Sequence, residues 1–433
     1  MFYKQILDEL KVIDLSDSQN LIETPDLSRV LNLEQLILQR CTRLSKIHAS
    51  LGNLKRLIHL DLNGCECLER LPHKINLKSL KVFILSGCSR LKKFPKIVRK
   101  MSRLSELYLN ETTIKDLPSF VKHFTGLIKL DLRDCKNLSS LPDVICSLSS
   151  LETLTLSGCT KLDKLPEKLG DLKGLEELDV SGTAITELPS SVFYLKNLKV
   201  LSLGGCEGLL SKSSNEPLSF PLMEICSDPM GMLVPQLLEL RTLRKLNLSY
   251  CNLWTIPDAL GSLCSLRDLN LNGNNFVSLP ESISRLSNLD SLYFCGCTGL
   301  RSLPQLPFNV GYIYADGCTS LETLSLRPEY DFYLYLSLLN CIKLIDNQGY
   351  GDMFLTMLRH QLQLQVSLSP LSFFHSLSLS LSLSLSLSLS LVFEGLNIMT
   401  CNFVCFREMK IMVPLFLEEK FQNGLPIEVR RLL

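Results

Sequence analysis

The segment LETLTLSGCTKLDKLPEKLGDLKG, residues 151–174, is one copy of a pattern that recurs through most of this 433-residue chain. Leu151, Leu154 and Leu156 set an LxxLxL spacing, and Cys159 follows. Leu162, Leu165 and Pro166 come next, then a second apolar set at Leu169 and Leu172. Equivalent leading residues fall at Leu10, Leu33, Leu57, Leu80, Leu104, Leu127, Leu151, Leu175, Leu198, Leu243, Leu266, Leu289 and Val310. The interval is 23 or 24 residues as far as Leu198, then 45, then 23, 23 and 21. A period held this closely means that each unit buries its apolar face on its neighbours, so the chain grows by stacking.

LxL alternation predicts a short strand with leucines inward and the intervening residues outward. Stacked units pair these strands in parallel, which satisfies their backbone groups between neighbours. The proline of each unit (Pro118, Pro142, Pro166 and Pro189 among them) is expected to end the inner run, because it fixes φ and has no N–H. The expected fold is therefore an α/β leucine-rich-repeat solenoid, a horseshoe. Its parallel β-sheet lies on the concave face, and short helices or turns lie on the convex face.

Seventeen cysteines could suggest disulfides or metal binding, but position argues otherwise. Cys41, Cys65, Cys88, Cys135, Cys159, Cys206, Cys251, Cys297 and Cys318 occupy one slot of the repeat, which Ser18, Thr112, Thr183 and Asn274 fill elsewhere. The slot wants a small donor, as in a buried ladder. The CxC pairs Cys65/Cys67 and Cys295/Cys297 lack the second pair of a zinc site. No metal or cofactor is expected. The six histidines share no ligand spacing, and no catalytic constellation or phosphate loop is present, so the chain reads as non-enzymatic. With 45 basic and 44 acidic side chains, the total charge points to neither nucleic acid nor a membrane surface.

Residues 10–206 read as a first repeat block and 243–326 as a second. Between them, 207–242 is an insertion or a degenerate repeat. Residues 1–9 form an uncapped N-terminal remnant, 327–365 a cap-like segment and 366–391 a Ser-Leu low-complexity segment; 392–433 is an unassigned tail. The bare first repeat and the Ser-Leu run suggest a fragment or truncated product. The absence of a basic n-region followed by an apolar run makes a cytoplasmic or nuclear location the expectation.

The residues that the pattern leaves free are the candidates for binding a protein ligand on the concave face. Those singled out are His59, Asp61, Glu106, Tyr108, Lys129, Asp131, Arg133, Glu177, Asp179, Lys245, Asp268, Tyr293, Tyr312 and Tyr314. Tyr108 beside Lys129, Asp131 and Arg133 combines an aromatic with both charges, and the three later tyrosines form an aromatic series, both typical of interface hot spots. A solvated strand surface is the plain alternative.

Several phrases carry a more specific likeness: LKVIDLSDSQNLIETPDLS (10–28), LKVFILSGCSRLKKFP (80–95), LETLTLSGCTKLDKLP (151–166), LDVSGTAITELPSSVFYLKNL (178–198) and LNCIKLIDNQGYGDMFLTMLR (339–359). They resemble the repeats of plant disease-resistance receptors with Toll/interleukin-1-receptor, nucleotide-binding and leucine-rich-repeat domains. The resemblance implies an intracellular immune sensor in defence signalling. Its repeats would recognise a pathogen effector or a guarded host protein and would hold the nucleotide-binding domain inactive. The sequence departs from that plan in having neither of the other two domains. The alternative is a free-standing intracellular repeat scaffold unconnected with immunity.

Overall fold

The computed structural model describes residues 9–92, 94–97, 99–206, 237, 239–325, 335–346 and 402–403. Residues 1–8 of the N-terminal remnant, the Ser-Leu segment, nearly all of the tail and most of the 207–242 interval lie outside the described residues.

Fourteen three-residue strands, from Val12–Asp14 to Tyr335–Ser337, pair in parallel in one sheet. Asn402–Phe403 adds a fifteenth, antiparallel strand beside Tyr335–Ser337. The register is the repeat register: Leu130 opposes Leu107 and Leu154, and Leu178 opposes Leu154 and Leu201. These leucines are buried, one per strand, because the two residues flanking each point the other way.

Val200–Ser202 pairs directly with Lys245–Asn247. Leu203 N donates to Asn247 O at 2.9 Å, and Cys251 Sγ donates to Leu203 O at 3.3 Å. The 45-residue interval thus adds no strand to the main sheet between these two repeats.

Two features of the turn after each strand explain the SGC signature. One residue there takes a left-handed conformation: Gly158 at φ 74° is an example, and Asp134 at 55° and Glu111 at 60° take it in neighbouring repeats. Glycine suits this site because it has no Cβ to clash with the backbone. The next residue is the ladder residue. Cys159 Sγ donates to Leu132 O at 3.1 Å, and Cys135 N donates to the same oxygen at 3.2 Å. Leu132 O therefore accepts from its own turn and from the next repeat's thiol. The pattern recurs at Cys41, Cys65, Cys88, Cys206, Cys297 and Cys318. Asn274 does the same with its amide nitrogen, reaching Leu248 O at 2.9 Å. Thr112 and Thr183 instead donate to carbonyls of their own turns.

The structure sharpens three expectations. The prolines stand where the inner run gives way to the outer side, well after the three-residue strands. Pro118, Pro142, Pro189, Pro257 and Pro280 each stand at the N-cap of a short 3₁₀ helix on the outer side, such as Asp143–Ser147. A fixed φ and a missing donor suit the start of a helix. The second repeat block does not stop at residue 326: Tyr335–Ser337 continues the sheet, and Cys341 Sγ donates to Ala315 O at 3.2 Å as a further ladder member. Finally, the outer layer holds short strands beside the expected helices and turns. Lys74–Ile75 and Lys96–Ile97 pair as a second small sheet, next to a cluster of Phe83, Phe94, Phe120 and Phe124 with ring centroids 5.7–6.5 Å apart.

Two predictions follow from the turn. Burial pushes the Cys65 and Cys159 thiols up to about 12, and those of Cys297 and Cys341 to about 11, from an ordinary 9.0. Such groups contribute stability in full below the unfolded value and lose it as pH rises from about 9 towards the folded values, because the unfolded chain ionises first. The melting temperature should therefore fall across that window, and less steeply in a Cys135→Ala/Cys159→Ala variant; equal slopes would refute the thiol contribution. Glu111→Gly should raise stability by up to about 1 kcal/mol in denaturant unfolding, by removing the left-handed clash of a β-carbon; a loss would show that the turn carries no such strain.

Candidate functional site

The strands present two outward residues each, and parallel register lines these up as rows running along the solenoid. The fourteen residues singled out from the sequence fall into separate groups on these rows.

Glu106, Tyr108, Lys129, Asp131 and Arg133 come together. Glu106 faces Lys129 and Tyr108 faces Asp131 across adjacent strands. The Lys129 ammonium lies 5.2 Å from the Tyr108 ring centroid, a cation–π distance. The Tyr108 hydroxyl donates to Glu106 Oε2 at 2.8 Å. Burial and that carboxylate together push the phenol up to about 12, burial being the larger cause. The Arg133 guanidinium donates to Asp131 through Nε at 3.1 Å and through Nη2 at 2.7 Å. Asp131 is 1% exposed while the Arg133 side chain is 53% exposed, so a buried carboxylate holds an outward guanidinium in a fixed attitude.

Tyr293, Tyr312 and Tyr314 form the second group. Tyr293 and Tyr314 stack at 4.8 Å with planes 5° apart. Tyr335 completes the cluster, 5.2 Å from Tyr314 and 6.2 Å from Tyr312. Burial, and then the neighbouring phenols, raise the Tyr314 hydroxyl above its ordinary value. Tyr335 lies outside the fourteen candidates because its repeat lacks a leading leucine, Tyr333 standing at that place. It stands 23 residues after Tyr312 and directly opposite it, so extending the period would have found it.

The remaining candidates stand apart. Lys245 and Asp268 pair with each other at 3.2 Å. Glu177 and Asp179 are half-buried on a strand of their own. His59 lies beside Asp61, Nε2 to Oδ2 3.8 Å. Asp61 and Asp131, expected at the contact surface, are instead buried. Both accept the backbone amide two residues on, from Asn63 at 2.9 Å and from Arg133 at 3.1 Å, and Asp179 accepts from Ser181 at 3.0 Å. These carboxylates close the end of their strands, and so do Asn247 and Asn270.

One group has the composition of a hydrolase triad without its geometry. His48 Nδ1 is 2.8 Å from Ser50 Oγ and 3.5 Å from Asp26, so serine and carboxylate address the same ring nitrogen. Ser50 Oγ also accepts from Leu27 N at 2.8 Å. A base must link the two through opposite ring nitrogens, so this is a structural cap; Ser50 N also reaches His48 Nδ1. Among the described residues, no group of His, Cys, Asp or Glu is arranged to hold a metal ion, and no helix is long and apolar enough to cross a membrane.

Three families of repeats match the chain: "Leucine-rich repeat region" over residues 122–215, "Disease resistance protein RPS4B-like, leucine-rich repeats" over 76–164, and "Leucine rich repeat" over 241–297. Among curated proteins, the TMV resistance protein N of Nicotiana glutinosa is 36% identical over 305 residues, covering 70% of this chain and 25% of that protein. The disease resistance-like protein DSC1 of Arabidopsis thaliana is 40% identical over 304 residues, covering 70% and 23%. The chain thus spans a quarter or less of the length of these relatives. Of solved structures, the functional domain of InlJ from Listeria monocytogenes, which includes a cysteine ladder, superposes with a TM-score of 0.51 at 18% identity, covering 76% of this chain and 68% of that one. The Leptospira interrogans protein LIC12759 gives 0.50 at 23%, covering 76% and 86%. At these identities the two structures establish the solenoid fold.

The Asp131–Arg133 pair should be asymmetric. Arg133→Ala strands a buried carboxylate and should cost about 1–3 kcal/mol, whereas Asp131→Asn keeps an acceptor for the backbone amide and should cost less. Thermal or denaturant unfolding of the two variants decides it; equal losses would mean that the carboxylate is not held by the guanidinium.

Proposed function

Because these repeats belong with those of plant disease-resistance proteins, we propose that the chain is the protein-recognition surface of an intracellular immune receptor. The observation that carries this reading is the arrangement of the concave face. The cluster at Tyr108, Lys129 and Arg133 and the tyrosine cluster at Tyr293–Tyr335 lie on strands six steps apart, about 30 Å along the sheet at some 4.8 Å per strand. Between them the first strand past Arg133 offers Thr153 and Thr155, small and uncharged. Two rigid anchors set apart on one sheet suit one elongated protein partner, since aromatic and Arg side chains held in place lose little entropy on binding.

In this reading the partner is a pathogen effector or a guarded host protein. In a receptor that also carries a nucleotide-binding domain, the repeats restrain that domain until the partner arrives. The chain contributes recognition and no catalysis.

A photo-crosslinking residue in place of Thr153 tests the reading in leaf tissue challenged with pathogen. A discrete protein adduct is expected, reduced at least about tenfold when Tyr108→Ala and Arg133→Ala are introduced with Asp131→Asn. The last change removes the stranded buried charge, so that loss of binding is not confused with loss of fold. The same adduct from a crosslinker at the outward Lys122, or an adduct indifferent to the three substitutions, would refute a concave site.

A further inference from the structure

The near-neutral total hides a local imbalance on the other side of the molecule. The outer run and returning flank of four successive repeats, residues 49–58, 72–81, 95–105 and 118–128, contain ten Lys and Arg and no Asp or Glu. These segments are neighbours in space. The amides of Lys81, Ser105 and Ile128 donate to the carbonyls of Ile58, Lys81 and Ser105 at 2.8–2.9 Å, and Lys74 opposes Lys96 in the small outer sheet. Lys55, Arg56, Lys78, Lys81, Lys100 and Arg103 are all exposed. Among the described residues none of the six forms a salt bridge, although Lys11, Lys199 and Lys245 elsewhere on the solenoid do. The patch has edges: the same surface carries Asp26 and Glu34 in residues 25–34 and Asp143 and Glu152 in residues 142–152, the latter segment without Lys or Arg.

We propose that this cationic face is a second docking surface, for a folded protein that presents an acidic patch. Unpaired like charges within a Debye length, about 10 Å at 0.1 M salt, repel one another, and an acidic partner relieves that repulsion while gaining steered association. The edges select the class of partner. Four repeats measure about 15 Å along the stack at strand spacing, so a nucleic-acid duplex or a membrane would run past the cations on to carboxylates at both ends. Among the described residues no groove-sized element projects from the face to read bases, and its one exposed large hydrophobic is Ile128, at its margin, which leaves little for a lipid bilayer to take up. A compact acidic surface meets the cations alone. The inference concerns the outer run and flank, beside the concave rows, uses none of the concave anchors, and stands if the concave reading fails.

The full chain would be titrated with three probes: poly-L-glutamate, a random-sequence DNA duplex, and phosphatidylcholine vesicles containing phosphatidylserine. Expected is poly-L-glutamate binding that weakens as salt rises above 0.1 M and drops at least about tenfold in Lys78→Glu/Lys100→Glu/Arg103→Glu. Lys78→Gln/Lys100→Gln/Arg103→Gln, which reverses no charge, should give a smaller loss at unchanged melting temperature. Lys136→Glu/Lys161→Glu/Lys164→Glu, on the opposite flank, should bind as the parent does. No binding of poly-L-glutamate, equal loss in the opposite-flank variant, or tighter binding of the duplex or the vesicles would each overturn the proposal.

Discussion

The solenoid depends on what happens to one carbonyl per repeat. Where the chain leaves the sheet, the backbone turns through a left-handed residue, and the last inward carbonyl is buried with nothing in the sheet to bind it. Leu132 O shows the solution: its own turn gives it the Cys135 amide, and the next repeat gives it the Cys159 thiol. A neutral hydrogen bond of this kind contributes only about 1 kcal/mol, but a buried acceptor left without one costs more. Where the slot holds Cys or Asn, the constraint fixes three things together: the position of the left-handed residue, the small side chain after it, and the period that brings the next donor into reach. A longer side chain in the slot would push the turns apart, and the strands with them. Hence Cys, Thr and Asn recur there while the residues to either side vary.

This explains why so much of the fold was legible in the sequence. The strands, their parallel order and the ladder slot follow from a period repeated with almost no drift. What escaped was whatever the period does not encode. The prolines mark the passage to the outer side, but that a 3₁₀ helix starts on them is not in the period, because a missing N–H suits a turn and a helix start equally. Asp61 and Asp131 were counted as surface, since a carboxylate between two strand leucines normally faces water. Only the coordinates reveal that it bends back to the amide two residues on. The repeat that holds Tyr335 and Cys341 keeps Leu336, Leu338 and Leu344, but it has Tyr333 at the leading position and no proline directly after Leu324 in the repeat before it, so the period is masked in the sequence while the pairing continues.

The two faces answer to different physics. The concave sheet is a set of rows in which each outward side chain has a neighbour one strand away, so its charges and rings pair among themselves: Lys129 with Tyr108, Arg133 with Asp131, Lys245 with Asp268. Such a surface is preorganised, and it discriminates by shape and by donors held at fixed angles. On the basic outer run within residues 49–128, among the described residues, Lys55, Arg56, Lys78, Lys81, Lys100 and Arg103 form no salt bridge. Its lysines end in water, each carrying a full charge on a flexible stem, and act at a distance set by the ionic strength.

That difference decides what each face contributes to recognition. Rigid anchors change how long a partner stays, because they must be broken before it leaves, whereas a same-sign field changes how often it arrives. A solenoid can carry both because its consensus residues all point inward. Leu, Cys and Pro fix curvature from one repeat to the next, and substitutions at the free positions leave the stack intact. The uniformity that made the fold readable is thus also what lets two unrelated surfaces coexist on one short stretch of chain. Residues 72–105 lie at their overlap. The strand Val82–Ile84 and the Glu106 that follows face inward to the concave rows, while Lys78, Lys81, Lys100 and Arg103 from the same repeats face out. A partner on either face is separated from the other by one layer of buried leucine and phenylalanine, and the packing of Phe83, Phe94 and Phe124 is the material through which the two faces touch.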